Sequence, residues 1–282
     1  MKKSTSIAFQ GEPGAFSQRA IVQLLGEQAT ILPCQRFDQV FARLDRGEAA
    51  AAVIPIENTL HGSIHENYDH LLNYTFEITA ETNVRIVHNL IACPGVTFSK
   101  VKRVYSHPVA INQCLDFFAA NPRVERIPFY DTAGSVKMIM AEKMNDAAAI
   151  ASDLAANIYG ARLLRRSIED DRRNFTRFFL LRRTGDKHAP KAKAVAGSAF
   201  KTSLVFTVRN IPGALFRALS VFALRDISLT KIESRPLRGK PWEYLFYVDL
   251  VGRADDAAVK KALGHLEELA DLCRVLGCYP AV

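Results

Sequence analysis

The sequence predicts an α/β fold in two parts: two lobes of mostly parallel sheet, then a smaller ferredoxin-like domain of order βαββαβ. Three observations predict it. Over residues 1–183, short apolar runs repeatedly end in a small polar turn where an amphipathic run begins, as when strands alternate with helices. The stretch FEITAETNVRIVHNLIACPG breaks that pattern with extended runs back to back, as a chain crossing between lobes does. Residues 184–201, TGDKHAPKAKAVAGSAFK, are rich in Lys, Ala, Gly and Pro without periodicity and read as a linker.

The elements follow in order. TSIAFQ leads into GEPGAFSQRAIVQLLG, AAAVIPIEN into TLHGSIHENYDHLL, and VKRVYSHP into VAINQCLDFFAA. VERIPFYDT leads into AGSVKMIMAEKM, and DAAAIAS into DLAANIYG. The chain is expected to leave lobe one near residue 80 and return near 160. Lobe one then holds about 1–80 and 160–183, lobe two about 81–159, and RRNFTRFFLLRR is the returning strand beside the hinge. Beyond the linker, residues 202–282 read strand 202–208, helix 213–224, strands 227–234 and 243–251, helix 255–269 and strand 273–279.

Composition narrows the function. A chain of 282 residues can bury two cores. The formal charge of +8 suits an anionic partner, but RLLRRSIEDDRRNF interleaves both signs and no basic stripe carries aromatics, which argues against nucleic acid. No apolar run of about 18 residues can span a membrane, and MKKSTSIAFQGEPG lacks the apolar core of a signal peptide. Five cysteines without a CxxC pair are expected to be free thiols, in a cytoplasmic protein.

Ligands of parallel sheets bind beyond the carboxyl ends of the strands, where helix N-termini favour anions. Those turns carry Gly14, Ser17, Asn58, Thr59, Gly62, Ser63, Ser106 and Thr132. Any one of them is explained by helix capping. Five such turns in a basic chain point to an anion-binding cleft, with Glu57, Asp131 and Arg177 as its ionisable members. His61, His65, His70 and Glu66 miss the zinc-protease spacing, GEPGAF is not a dinucleotide loop, and no cysteine stands at a strand-to-helix turn. No metal and no cofactor is expected.

IPIENTLHGSI, YSHPVAINQC, DTAGSV and DDRRNFTRF together resemble the prephenate dehydratases and the related arogenate dehydratases, and GALF and ESRP resemble the ACT domain fused to them. The resemblance implies a two-lobed catalytic domain like the type II periplasmic binding proteins, residues 1–183, with an ACT domain at 202–282. It implies a cofactor-free lyase that turns prephenate into phenylpyruvate, CO2 and water in phenylalanine biosynthesis, in a homodimer or homotetramer. Thr176, Glu57, Asn58 and Gln113 map onto its catalytic residues. Thr59, Gly62, Ser63, Ser106, Thr132, Asn174, Arg177 and Phe178 are expected around the substrate. Thr59 replaces the usual Ser, and Val109 stands where Gln is common.

Several alternatives stay open at this point. Thr176 or Glu57 protonates the leaving hydroxyl. Arg177 grips the pyruvyl carboxylate or pairs with Asp170 or Asp171. The substrate is prephenate or arogenate, or the chain is a non-enzymatic anion sensor. In the ACT domain, Asn210, Pro212, Gly213, Ala214, Leu215, Glu233, Ser234, Arg235 and Pro236 are expected to bind L-phenylalanine at a subunit interface, unless the domain only dimerises.

Overall fold

The computed structural model describes residues 6–192, 197–237, 239–240 and 242–282. Residues 1–5 and part of the expected linker lie outside the described residues. The chain forms two compact units, one of Met1–Tyr74, Thr82–Leu180 and Asp186–Pro190, the other of Thr75–Glu81, Leu181–Gly185 and Lys191–Val282.

The first unit opens with β1 (Ile7–Gln10), α1 (Phe16–Leu25), β2 (Ile31–Cys34), α2 (Phe37–Asp45) and β3 (Ala51–Asn58). β1 pairs parallel with both β2 and β3. Ile7, Ala8 and Phe9 are buried, as are Ala51 to Ile54, so these strands read as unbroken apolar runs. The sequence predicts helix straight after Asn58, but β4 (Gly62–Ser63) instead folds back on β3, with Asn58 opposite Gly62. Asn58 causes this: its Oδ1 accepts from the backbone N–H of Leu60 and of His61, both at 3.0 Å, a local turn that competes with helix. α3 (His65–Asn73) follows, then β5 (Phe76–Arg85).

A second sheet holds β6 (Asn89–Ala92), β7 (Arg103–Ser106), β8 (Glu125–Pro128), β9 (Ala147–Ala151) and β10 (Arg162–Arg165), in the order β10-β6-β9-β7-β8. Between them lie α4 (Pro108–Asn112), α5 (Leu115–Ala119), α6 (Thr132–Ala141) and α7 (Asp153–Tyr159). β10 pairs antiparallel with β6, so this sheet extends to Arg165 and the chain returns later than the expected residue 160. The single helix expected over VAINQCLDFFAA is broken at Gln113 and Cys114, where the Asp170 carboxylate accepts from the N–H groups of Leu115 and Asp116 at 2.7 and 3.0 Å. Capping a fresh N-terminus in mid-run stabilises the break.

β11 (Phe175–Arg183) completes the first sheet, ordered β2-β1-β3-β11-β5 with β4 on β3. Two segments cross between the sheets, residues 86–88 and 166–174. They are bonded to each other: Ile86 N–H donates to the Asn174 carbonyl and Ile168 N–H to the His88 carbonyl, both at 2.8 Å.

The C-terminal domain runs β12 (Phe200–Thr207), α8 (Ala214–Ala223), β13 (Leu229–Pro236), β14 (Tyr244–Val251), α9 (Ala257–Leu269) and β15 (Leu272–Pro280). Its antiparallel sheet is ordered β13-β14-β12-β15. Leu204, Phe206, Val248 and Leu250 alternate along β12 and β14 and share one core with Phe222 of α8 and Leu266 of α9. Among the described residues no helix is long and apolar enough to cross a membrane.

Candidate active site

A cleft of about 600 Å³ is walled on one side by strands β1, β3, β4 and β11 of the first sheet and on the other by His88 of the crossing segment, α4 and the start of α6. Of the expected residues it brings together Asn58, Gly62, Ser63, Gln113, Thr132 and Thr176, with Val109 also on its wall. It adds residues not expected in the site: Gln10, Phe16, Arg36, Glu66, His88 and His107. The expected gathering of positive charge is not found. Among the described lining residues Arg36 is the only Lys or Arg, and its guanidinium already meets the Asp38 carboxylate at 3.0 and 2.7 Å.

Thr176 sits near the start of β11, almost buried. Its Oγ1 accepts from Asn58 Nδ2 at 2.9 Å. The same amide nitrogen donates to Asn174 Oδ1 at 2.7 Å and to the Phe175 carbonyl at 3.0 Å. Because Asn58 Oδ1 is held by two backbone N–H groups, flipping the amide would set its N–H groups against those donors and its oxygen against the Phe175 carbonyl. With Asn58 donating to it, the Thr176 hydroxyl has its own proton left to give, and no acceptor for that proton is recorded among the described residues.

Gln113 stands at the break between α4 and α5. Its Oε1 lies 2.7 Å from His88 Nε2, and its carbonyl accepts from Asp170 N–H at 2.8 Å. The Glu169 carboxylate accepts from His88 N–H at 3.0 Å and from Arg85 at 3.1 Å, so the 169–170 segment fixes both His88 and Gln113. Burial holds the His88 ring below the ordinary histidine range, against an opposing pull from Gln113. His107 caps α4, its Nδ1 accepting from Val109 N–H at 3.2 Å, and partial burial lowers its pKa too.

Other expected members lie elsewhere. Side chains alternate across a strand, so Glu57 and Arg177 point away from their neighbours Asn58 and Thr176. They pair with each other at 3.4 Å, on the wall of a second cavity of about 370 Å³ lined also by Thr59, Asn83 and Phe175 and bordered by Asn58, which lines the main cleft as well. Arg177 pairs with neither Asp170, which caps α5, nor Asp171, which holds Arg173. Thr59 Oγ1 donates to the Arg173 carbonyl and accepts from Phe175 N–H, so its extra methyl does not narrow the main cleft. Asn174 is fully buried behind Asn58, Ser106 donates to the Ile150 carbonyl at 2.6 Å, and Phe178 belongs to the core.

The turn at Gly14 serves packing. Its φ is +96°, and a Cβ there would lie 2.6 Å from Ala155 Cα, so only glycine permits this approach. Ser152 Oγ donates to the Gly14 carbonyl at 2.6 Å, and Ser17 is buried. Asp131 caps α6 by accepting from Gly134 N–H, and burial raises its pKa. Cys114 is buried, which raises its thiol pKa and makes it a poor nucleophile.

In the C-terminal domain the two expected effector motifs occupy different elements. Gly213, at φ +78°, is the N-cap of α8, with Ala214 and Leu215 in the first turn, Pro212 just before it, and Asn210 Nδ2 donating to the Trp242 carbonyl at 3.0 Å. Glu233, Ser234, Arg235 and Pro236 lie along β13, an edge strand of the sheet. Only Ala214 of the set borders a cavity described within the domain, one of about 340 Å³ lined also by Arg209, Arg217 and Asp271.

The family model for prephenate dehydratase matches residues 7–186, and that for the ACT domain matches residues 202–268. An Arabidopsis thaliana protein named arogenate dehydratase/prephenate dehydratase 2, chloroplastic, is 44% identical over 283 residues, covering 97% of this chain and 72% of the relative. The crystal structure of prephenate dehydratase from Arthrobacter aurescens in complex with L-Phe superposes with a TM-score of 0.87 at 33% identity, covering 98% of this chain and 92% of that one. A structure described as GqqA, a novel type of quorum quenching acylase, also gives 0.87, at 34% identity and 98% coverage of both chains. With the two-lobed α/β cleft and the antiparallel C-terminal sheet, these matches show that the chain belongs to the prephenate dehydratase family, with a C-terminal ACT domain.

Proposed function

We propose that the chain converts prephenate to phenylpyruvate, and that L-phenylalanine acts on it through the ACT domain of a homodimer or homotetramer. The Thr176 hydroxyl carries this reading: it accepts from Asn58 and faces the cleft with a proton to donate. In the reaction the ring carboxylate leaves as CO2. The electron pair of that bond moves through the ring, and the bond to the ring hydroxyl breaks. Thr176 donates a hydrogen bond to the departing oxygen, which leaves as water with a proton supplied by solvent. A threonine is a weak acid, but forming the aromatic ring drives the step, so a hydrogen bond that strengthens in the transition state suffices.

Arg36 and the N-terminus of α6 at Thr132 are left to bind the pyruvyl carboxylate. This arrangement leaves the departing carboxylate without a tight cation, which would stabilise the ground state more than the transition state. Arogenate, with an ammonium in place of the keto oxygen, is the second reading. Glu66 favours it, as the only Asp or Glu among the described lining residues and a natural partner for that ammonium.

Turnover of prephenate and arogenate side by side, with and without L-phenylalanine, tests both. Turnover of at least one, with phenylalanine altering the rate, is the expected outcome. Cleavage of an N-acyl amide with no turnover of either would overturn the proposal in favour of an acylase.

A further inference from the structure

The cleft contains a histidine that the sequence motifs do not single out. His88 lies in the first crossing segment and is 2% exposed. Its ring meets Phe16 edge-on, with centroids 5.7 Å apart, and its Nδ1 is buried without a hydrogen-bond partner. Its Nε2 meets Gln113 Oε1 at 2.7 Å.

We propose that His88 is a positioning residue for the reaction: its Nε2–H holds the side-chain oxygen Oε1 of Gln113, so that the Gln113 side-chain amide nitrogen is turned to the substrate. The two possible arrangements of the pair are not equivalent. With the proton on Nε2, the ring donates to Gln113, and the buried Nδ1 is left as a bare lone pair. With Gln113 flipped, its amide donates to Nε2 and the ring proton moves to Nδ1, where it becomes a buried donor without an acceptor. An orphaned buried N–H is the rarer and costlier defect. The flipped form would also turn the Gln113 oxygen toward a substrate carrying two carboxylates. Both considerations select the first arrangement.

The backbone fixes the same geometry. His88 N–H donates to Glu169, and Asp170 N–H donates to the Gln113 carbonyl, so one short segment sets the spacing between histidine and glutamine. The asparagine on the opposite wall is fixed in the same way, by bonds that occupy its oxygen, while its nitrogen is spent on Asn174, Phe175 and Thr176. The Gln113 amide and the Thr176 hydroxyl are then the donors turned to the cleft.

The proposal rests on the dehydratase reading, and two measurements keep them apart. The first is kcat/KM for His88→Leu, His88→Gln, Gln113→Ala and the double variant His88→Leu/Gln113→Ala, on whichever substrate is turned over. His88→Leu is expected to lose about tenfold or more. His88→Gln, which keeps a donor near the Nε2 position, is expected to recover most of the loss. Adding His88→Leu to Gln113→Ala is expected to cost nothing further. An undiminished His88→Leu loss in that background, or His88→Gln as impaired as His88→Leu, overturns the proposal. The second is the imidazole ¹⁵N spectrum of the histidine-labelled whole chain, which needs no turnover. A His88 proton on Nε2 supports the proposal, and one on Nδ1 overturns it even if the enzyme is active. Absence of turnover with a proton on Nε2 defeats the dehydratase reading alone.

Discussion

The two faces of the β3–β11 strand pair differ although their residues are neighbours in sequence. On one face, Thr176 presents its hydroxyl to the main cleft and is held there by the neutral amide of Asn58, which also edges the smaller cavity. On the other, Glu57 and Arg177 close an ion pair in a smaller cavity, with the Arg177 guanidinium 4.8 Å from the Phe179 ring centroid. The period of two along a strand makes this division. Neutral donors that take up charge only as the transition state forms suit a reaction that expels a hydroxyl. A fixed ion pair beside them suits stiffening of the two strands. Residues joined in one motif therefore fall on two faces, and the proposed reaction assigns chemistry to one and support to the other.

The largest effect that can break this comparison lies on the cleft face. Thr176→Ala is expected to lower kcat by about 10²–10³, the range for removing one preorganised hydrogen-bond donor to the departing oxygen, with Thr176→Ser recovering much of it. A near-native kcat for Thr176→Ala ends the donor role. On the opposite face, Glu57→Gln and Arg177→Met are expected to change kcat by less than about tenfold and to cost roughly 1–3 kcal/mol in urea unfolding. The low end is favoured because the Glu57 side chain is 32% exposed and partly screened. A kcat loss in Glu57→Gln as deep as in Thr176→Ala would place the proton donor on the wrong face.

The smallest effect concerns acid stability. His88 titrates below its ordinary 6.5 because it is buried. Above that pH neither the folded nor the unfolded chain binds the proton, so the histidine costs nothing. As pH falls through 6.5 the unfolded chain takes up a proton that the folded chain refuses, and stability drops by at most about 1.4 kcal/mol per pH unit. His88→Gln is expected to flatten the unfolding free energy between pH 6.5 and 5 by up to one proton. An unchanged slope means the ring already takes its proton in the folded state.

Much of the fold was legible in the sequence. Apolar runs such as AAVIPI and AAAIA specify buried strands by composition alone, and the βαββαβ order follows from periodicity. Two departures came from side chains acting on the backbone at a distance in sequence or against local propensity. Asn58 turned an expected helix start into a hairpin, and Asp170 split an expected helix by capping it from 55 residues away. For the site, the motifs name Thr176, Asn58 and Gln113, which line the main cleft, and strand alternation puts Glu57 and Arg177 on the wall of the smaller cavity instead. His107 stands inside the motif YSHP and caps α4, while His88 carries no spacing signal. What gives His88 a place is the crossing of the chain between sheets, which only tertiary structure displays.

The most direct test is a crystal structure with a stable dicarboxylate analogue of the substrate. The ligand is expected in the main cleft, with its hydroxyl within hydrogen-bonding distance of Thr176 Oγ1 and a polar group meeting the Gln113 amide nitrogen. A ligand seated between Glu57 and Arg177, with Thr176 untouched, would contradict the account.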